Sequence, residues 1–282
     1  MISYKLSFLF FVKNSKKIFK NYFLNIADSI FNIKRDKKRI IYSIEDKFGT
    51  KINDSVFTLN IINKNKIINY ERGVSQRLRY LAKYYGLGTY VPIKRKDRII
   101  NVGANIGEVT ILCCLSGAEV LSIEGNPYAF ECLKSNCYGF NAKLFNEVLW
   151  KENSKITFRN QNGGTSSTIM GIGELPNGVD NIVNAKTLET VYEKAFKDNS
   201  VDIKAIVGDV EGAEPELLLG AQKLLKKVHF ISLDCGPERI GKQNSYNLVA
   251  DYLKKNNFRV MKRRNNTKLG TILIAENINI KN

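Results

Sequence analysis

The stretch Arg98-Ile99-Ile100-Asn101-Val102-Gly103-Ala104-Asn105-Ile106-Gly107 decides the fold. Its first five residues read as a strand, and they run directly into a turn flanked by two glycines, after which a helix is expected over Glu108 to Ser116. Glycine lets the chain turn tightly and lets a ligand approach the main chain, as at the first strand-to-helix turn of a nucleotide-binding sheet. Two neighbouring motifs are excluded by spacing. A dinucleotide fingerprint needs Gly-x-Gly-x-x-Gly, and Asn105 occupies the place of its second glycine; a P-loop needs Gly-Lys-Ser/Thr, which does not follow. The next strand ends in Glu124, 21 residues beyond Gly103, where an open α/β sheet places a carboxylate able to accept from both ribose hydroxyls. Together the turn and the acid read as a site for a nucleoside-containing ligand, without saying which one.

Outward from this stretch, strand and helix alternate to the end of the chain. Strands are expected at Arg98 to Val102, Glu119 to Glu124, Lys143 to Leu149, Ala205 to Asp209, Phe230 to Cys235, Arg259 to Lys262 and Thr271 to Ala275. Helices fit at Glu108 to Ser116, Pro127 to Tyr138, Leu188 to Phe196, Pro215 to Lys227 and Ser245 to Asn256, which is the pattern of a doubly wound α/β sheet. The helix over Pro215 to Lys227 has Pro in its first turn, Glu214 and Glu216 at its positive end and Lys223, Lys226 and Lys227 at its negative end. A loose Asn/Gly/Ser/Thr stretch, Asn160 to Asn181, reads as a long functional loop. Residues 98–282 therefore form the principal domain. Residues 41–97 read as a lead-in, with strands at Ser55 to Ile62 and Lys66 to Tyr70 and a helix from Ser75 to Tyr85.

Charge divides the chain differently. The net charge is +17 over 282 residues, and residues 1–97 hold 21 Lys/Arg against 7 Asp/Glu, so most of the excess lies ahead of the sheet. Residues 1–40 carry ten Lys/Arg and two Asp/Glu, and Phe19, Tyr22, Phe23, Ile26 and Ile30 recur at helical spacing. This basic amphipathic segment suits peripheral attachment to an anionic inner-membrane surface; it equally suits a helix packed on its own domain or on a partner subunit. Five cysteines, with no Cys-x-x-Cys pair, argue against a disulfide framework and against zinc, and read as reduced thiols of a cytoplasmic protein. The apolar run Phe8 to Val12 is too short to span a bilayer, and no secretory cleavage pattern follows it. Oligomeric state leaves no mark in the sequence.

Asn101 to Glu108, Ile123-Glu124-Gly125-Asn126-Pro127 with Phe130 and Leu133 behind it, and Asp209-Val210-Glu211-Gly212-Ala213-Glu214 with Leu218, Gly220 and Ala221 behind that, resemble the FkbM family of S-adenosylmethionine-dependent methyltransferases in order and spacing, over about residues 75–275. Asp234-Cys235-Gly236-Pro237-Glu238-Arg239 is similar to one branch of that family. The resemblance implies a class I, Rossmann-like methyltransferase fold, seven strands with the last antiparallel, that methylates a hydroxyl, commonly on a sugar or polyketide. It further implies S-adenosyl-L-methionine as cofactor, with Asn101, Gly103, Ala104, Asn105 and Gly107 around its methionine half, Glu124 on its ribose and Asn126 in the same set. Where the family usually shows Asp, Pro and Lys, this chain has Asn101, Gly125 and Val207.

Methyl transfer is an in-line displacement, so positioning dominates and the one proton to be removed is that of the acceptor. Asp209 and Glu211, at the end of the fourth strand, are the candidates for that role, while Glu214 reads as a helix-end carboxylate. Asp234, Glu238 and Arg239, after the fifth strand, are candidate acceptor contacts. No metal site is expected. His229, the only histidine, precedes its strand and so lies at the edge away from the ligand side. Asn126-Pro127-Tyr128 is discounted as an amino-methylating signature because it follows the second strand and not the fourth. Two other functions stay open: an RNA methyltransferase, suggested by the basic charge, and a non-catalytic scaffold, suggested by Asn101 and Val207.

Overall fold

The computed structural model describes residues 42–46, 49–53, 58–61, 69–70, 72–161, 167–173, 175, 178–198, 200–261 and 271–280. The basic segment over residues 1–40 lies outside them. The first described elements are three antiparallel strands, β1 (Tyr42–Asp46), β2 (Gly49–Asn53) and β3 (Thr58–Ile61), followed by helix α1 (Val74–Tyr85). Of the strand expected at Lys66 to Tyr70, residues 66–68 lie outside the described residues, and Asn69 and Tyr70 form a 3₁₀ turn.

The main sheet is built from β4 (Arg98–Val102), β5 (Glu119–Ile123), β6 (Ala142–Phe145), β10 (Ile203–Gly208), β11 (Val228–Asp234), β12 (Phe258–Val260) and β13 (Ile272–Asn277). Its spatial order is β12-β13-β11-β10-β4-β5-β6. Neighbours are parallel from β11 to β6, and β13 runs antiparallel to both β11 and β12. The chain winds from β4 out to β6, then returns to the other side of β4 with β10, so the strand order reverses between β4 and β10. A ligand crevice belongs at such a point, beyond the carboxyl ends of the strands.

Strands β4 and β10 are buried along their whole length, as a parallel sheet covered on both faces requires. Alternate residues go to opposite cores. Ile99, Val120, Ala205, Val207, Phe230 and Ile274 pack with α1, α2 (Glu108–Leu115) and α3 (Pro127–Asn136). Ile100, Val102, Leu121, Ile206, Ile231 and Leu233 pack with α4 (Leu188–Ala195), α5 (Glu214–Leu219), α6 (Gln222–Leu225) and α7 (Tyr246–Lys255). Each such fully buried aliphatic side chain contributes about 1.5–3 kcal/mol.

Three expectations are corrected. The single helix expected over Pro215 to Lys227 is two, broken at Gly220, where a Cβ would lie 2.3 Å from the Trp150 carbonyl oxygen and whose own carbonyl accepts from the Glu189 N–H; its apolar residues stay buried. The strand expected over Lys143 to Leu149 ends at Phe145 because residues 148–150 leave the sheet to bond with Lys186. The described residues of the Asn160 to Asn181 stretch are largely strand and not loop. They belong to a second antiparallel sheet, β8-β7-β9, of β7 (Ser154–Gln161), β8 (Ser167–Ile169) and β9 (Gly178–Ala185). Its Asn and Gly content disguises strands that are largely exposed in β9.

Two glycines hold the switch point together. A Cβ on Gly103 would sit 1.6 Å from the Asp209 carbonyl oxygen, and one on Gly208 would sit 1.8 Å from that of Val102; both residues have positive φ, +61° and +149°. Strain and overlap together predict that Gly103→Ala or Gly208→Ala lowers stability by about 2–5 kcal/mol. Gly241→Ala, with φ +72° and open space around it, should cost only about 1 kcal/mol. Urea denaturation of the three variants measures the difference.

Candidate active site

A cavity of about 380 Å³ opens at the switch point, lined from the ends of β4, β5, β10 and β11, from α1, and from β7 and β8 of the second sheet. Asn101, Gly103, Ala104, Asn105, Glu124, Asp209, Glu211 and Asp234, all singled out from the sequence, line it together.

Glu124 is buried at the end of β5. Its Oε2 accepts from the Asn105 backbone N–H and its Oε1 from that of Asn126, both at 2.7 Å. Each carboxylate oxygen keeps a further lone pair, so the group is oriented and still able to accept from two vicinal hydroxyls. Burial pushes its pKa up to about 7, against the pull of these backbone donors. Asn105 reaches its position with φ +49°, a left-handed conformation that asparagine tolerates.

Asn101, 1% exposed, donates through Nδ2 to Thr110 Oγ1 at 3.0 Å, and Thr110 shares a hydrogen bond of 2.8 Å with Ser122. An aspartate here would be a charge buried beside two hydroxyls; asparagine makes the same position neutral and leaves its Oδ1 as an acceptor. Gly125 is close-packed: a Cβ would meet Val148 Cγ2 at 2.9 Å and Phe158 Cζ at 3.1 Å. The glycine admits Phe158 of β7 to the wall of the cavity.

Asp209 lies just past β10, with Oδ1 accepting from the Glu211 N–H at 2.9 Å. Burial raises its pKa well above the ordinary carboxylate range, and the nearby charges of Glu211, Glu214 and Asp234 push the same way. Glu211 takes a positive φ of +53°. At the end of the neighbouring strand β11, beside Asp209, Asp234 accepts from Tyr84 Oη through Oδ2, while its Oδ1 is buried without a partner.

Other residues from the sequence stand behind this wall. Gly107 packs helix on helix, since a Cβ would meet Cys137 Sγ at 2.7 Å and Leu133 Cδ1 at 2.8 Å. Asn126 caps α3, accepting from the Tyr128 and Ala129 N–H groups, and donates to Ser167 Oγ. Glu214 is fully buried and accepts from the Val210 and Gly212 N–H groups and from Ser245 Oγ; burial raises its pKa to about 7. Glu238 folds against Gly236, with its pKa also raised to about 7 by burial. Arg239 is committed to both oxygens of Glu216 and to the Gly212 carbonyl. His229, at the start of β11, lies 3.4 Å from Asp202, away from the cavity. Among the described residues, no group of three or more His, Cys, Asp or Glu is arranged to hold a metal ion, and no helix is long and apolar enough to cross a membrane.

The stretch Asn160 to Asn181, read from the sequence as functional, contributes Ser167, Thr168 and Ile169 to the lining; sequence reasoning missed Arg77, Tyr80 and Tyr84 of α1 and Phe158 of β7, which complete it. Arg77 and Tyr84 sit seven residues apart at the margin of the buried stripe Val74, Leu78, Leu81 and Tyr85. That placement was the one signal available. Nothing in the order of residues says that β7 and β8 return to this edge.

The strand order and the interlocked glycine turn, with a buried acid at the end of β5, define a class I methyltransferase fold. The family model of the methyltransferase FkbM domain matches residues 101–260, and the chain belongs to that family. Its cofactor is S-adenosylmethionine. No curated protein sequence matches the chain. Among solved structures it is similar to Aeropyrum pernix fibrillarin with natively bound S-adenosyl-L-methionine, at 11% identity and TM-score 0.42 over 70% of this chain and 73% of that one. It is also similar to magnesium protoporphyrin IX methyltransferase from Synechocystis PCC 6803, at 12% identity and TM-score 0.40 over 77% and 83%. A third is precorrin-6y C5,15-methyltransferase from Geobacter metallireducens GS-15, at 12% and 0.40 over 69% and 87%. The fold assignment rests on strand order and family and not on these distant likenesses.

The residues present fit the cofactor. Glu124 offers two oriented acceptors for a ribose, and the main chain at Gly103 to Asn105 lines the cavity beside it. Ribose hydroxyls favour the ionised acid, so affinity for S-adenosylhomocysteine should be flat above about pH 7 and fall by up to roughly tenfold per unit below it. Calorimetric titration between pH 5 and 8 should show this slope. Glu124→Gln should remove it and weaken binding by about 1.5–3 kcal/mol.

Proposed function

We propose that the protein transfers a methyl group to a hydroxyl oxygen of a sugar or surface-glycan precursor, with Asp209 receiving the hydroxyl proton. The observation that carries the reading is the Asp209 carboxyl itself: fixed by the Glu211 N–H, lining the cavity, and raised in proton affinity by burial and by neighbouring acids. A hydroxyl is too weak an acid to ionise at neutral pH, and it becomes a good nucleophile only if its proton leaves as the attack proceeds. A carboxylate of ordinary pKa is a poor acceptor for that proton; one shifted upward is better matched.

Bound S-adenosylmethionine supplies an electrophilic methyl on a sulfonium centre, and the chain supplies position and a base. Glu124 would hold the ribose, and Asn101 with the Gly103 to Asn105 turn the amino-acid half. As the acceptor oxygen bonded to the methyl carbon, the carbon–sulfur bond would break with S-adenosylhomocysteine as the leaving thioether, and the acceptor's proton would pass to Asp209. Glu211 fixes the orientation of Asp209 through its backbone, and Asp234, held by Tyr84, faces the same space as a hydrogen-bond acceptor for further acceptor hydroxyls.

Charge supports a glycan over RNA. Six carboxylates, Glu108, Glu124, Glu147, Asp209, Glu211 and Asp234, line the cavity against one basic side chain among the described residues. A phosphodiester chain would meet like charge there, whereas neutral sugar hydroxyls would meet acceptors.

Methyl-labelled S-adenosylmethionine incubated with glycan, RNA and protein fractions of the source cell should place label in base-stable methyl ethers of the glycan fraction. Asp209→Asn should lower turnover by about 10²–10⁴-fold while cofactor affinity stays nearly unchanged. The wild-type rate should fall as pH drops through the raised Asp209 pKa, because the base must be ionised. Label in RNA would overturn the choice of acceptor, and label in no fraction despite cofactor binding would favour the scaffold.

A further inference from the structure

The setting of Arg77 is unusual for an arginine of a helix face. Among the described residues it is the only basic side chain that lines the cavity. Its side chain is 21% exposed, and most of its charge has been taken out of water, which is costly unless partners compensate. Glu108 is one such partner. Arg77 Nε donates to Glu108 Oε1 at 2.9 Å and Nη2 to Oε2 at 3.4 Å, and Tyr70 Oη donates to the same Oε1 at 2.7 Å. The Tyr80 ring lies 5.5 Å from the guanidinium carbon.

These contacts fix the plane of the guanidinium at a defined place. Glu108 is the first residue of α2, immediately after the Gly103 to Gly107 turn, so the charge is anchored beside the backbone that receives the amino-acid half of the cofactor. Glu108 engages Nε and Nη2, and the remaining Nη1 can donate to a second anion; a planar fork serving two carboxylates is a role that lysine cannot fill.

The amino-acid half of S-adenosylmethionine is a zwitterion. Its ammonium needs acceptors, which Asn101 Oδ1 and the acidic lining supply. Its carboxylate needs a cation in a cavity whose other charges are all negative. We infer that Arg77, held in place by Glu108, binds the carboxylate of the cofactor's methionine half. This rests on the cofactor reading above and adds a charge-selecting residue from outside the glycine turn.

The test is a cycle between residue and ligand, read by titration calorimetry on the full chain. The ligands are S-adenosylhomocysteine and its decarboxylated analogue, S-adenosyl-3-thiopropylamine. The wild type should bind the first roughly 10- to 100-fold more tightly than the second, the usual worth of a charge-assisted hydrogen-bonded pair. Arg77→Gln should bind both equally, at the wild-type affinity for the decarboxylated ligand. Circular dichroism melting checks that the variant folds; if it does not, Arg77→Lys is carried through the same cycle, where the preference should shrink. Full wild-type discrimination in the variant overturns the inference. Equal weakening of both ligands also overturns it, since that marks Arg77 as part of the scaffold. A wild type that binds neither ligand contradicts the cofactor reading itself and is recognised by that double failure.

Discussion

The rest of the structure depends on one backbone contact, where the end of β4 meets the end of β10. The Asp209 N–H donates to the Val102 carbonyl at 3.1 Å, and neither Gly103 nor Gly208 could carry a Cβ without striking the opposite strand's carbonyl. Because the contact is main chain to main chain, no side-chain rearrangement can relieve a substitution there. Its consequence is positional. The turn proposed to hold the cofactor and the carboxylate proposed to serve the acceptor are set against each other by main-chain hydrogen bonding and packing, before any ligand arrives. Preorganisation of this kind matters in a reaction whose rate depends on alignment more than on chemical assistance.

Electrostatics adds a second constraint. Glu124, Glu214 and Asp209 all hold protons more tightly than ordinary carboxyls because burial disfavours their charge. Glu214 is nonetheless saturated with local donors and works as a brace for the β10–α5 turn, whereas Glu124 and Asp209 keep acceptor capacity directed at the cavity. Ionising these groups in the unliganded protein therefore carries an unfavourable cost. A ligand bearing a sulfonium and an ammonium relieves it, and that complementarity, more than shape, favours S-adenosylmethionine over a dinucleotide, whose pyrophosphate is anionic.

Much of this was legible in the sequence, and the reason is local. The strand-turn-helix around Gly103, the acid at Glu124 and the Asp209 to Glu214 run each encode a structure within a few residues, so all seven main-sheet strands and the core of the site could be read in order. What escaped depends on contacts far apart in the chain. The break at Gly220 arises from the Trp150 carbonyl, and the wall of Phe158, Thr168 and Ile169 comes from a sheet whose strands look like loop. Gly107 and Asn126 stand outside the cavity lining. Both lie inside ligand-binding motifs, yet one serves helix packing and the other caps a helix, because a motif records which residues recur together and not which of them face the cavity. Asn101 is the instructive departure: its amide is bonded to Thr110 in a position where an ionised aspartate would be buried beside hydroxyls.

Hydrogen–deuterium exchange with and without S-adenosylhomocysteine tests most directly the claim that cofactor turn and reactive carboxylate form one preassembled site. The account predicts single-site binding that protects the amides of residues 103–107, 124–126 and 208–211 together, at one ligand concentration. Protection of the first turn alone, with residues 208–211 exchanging as in the free protein, would contradict it, as would binding that protects neither.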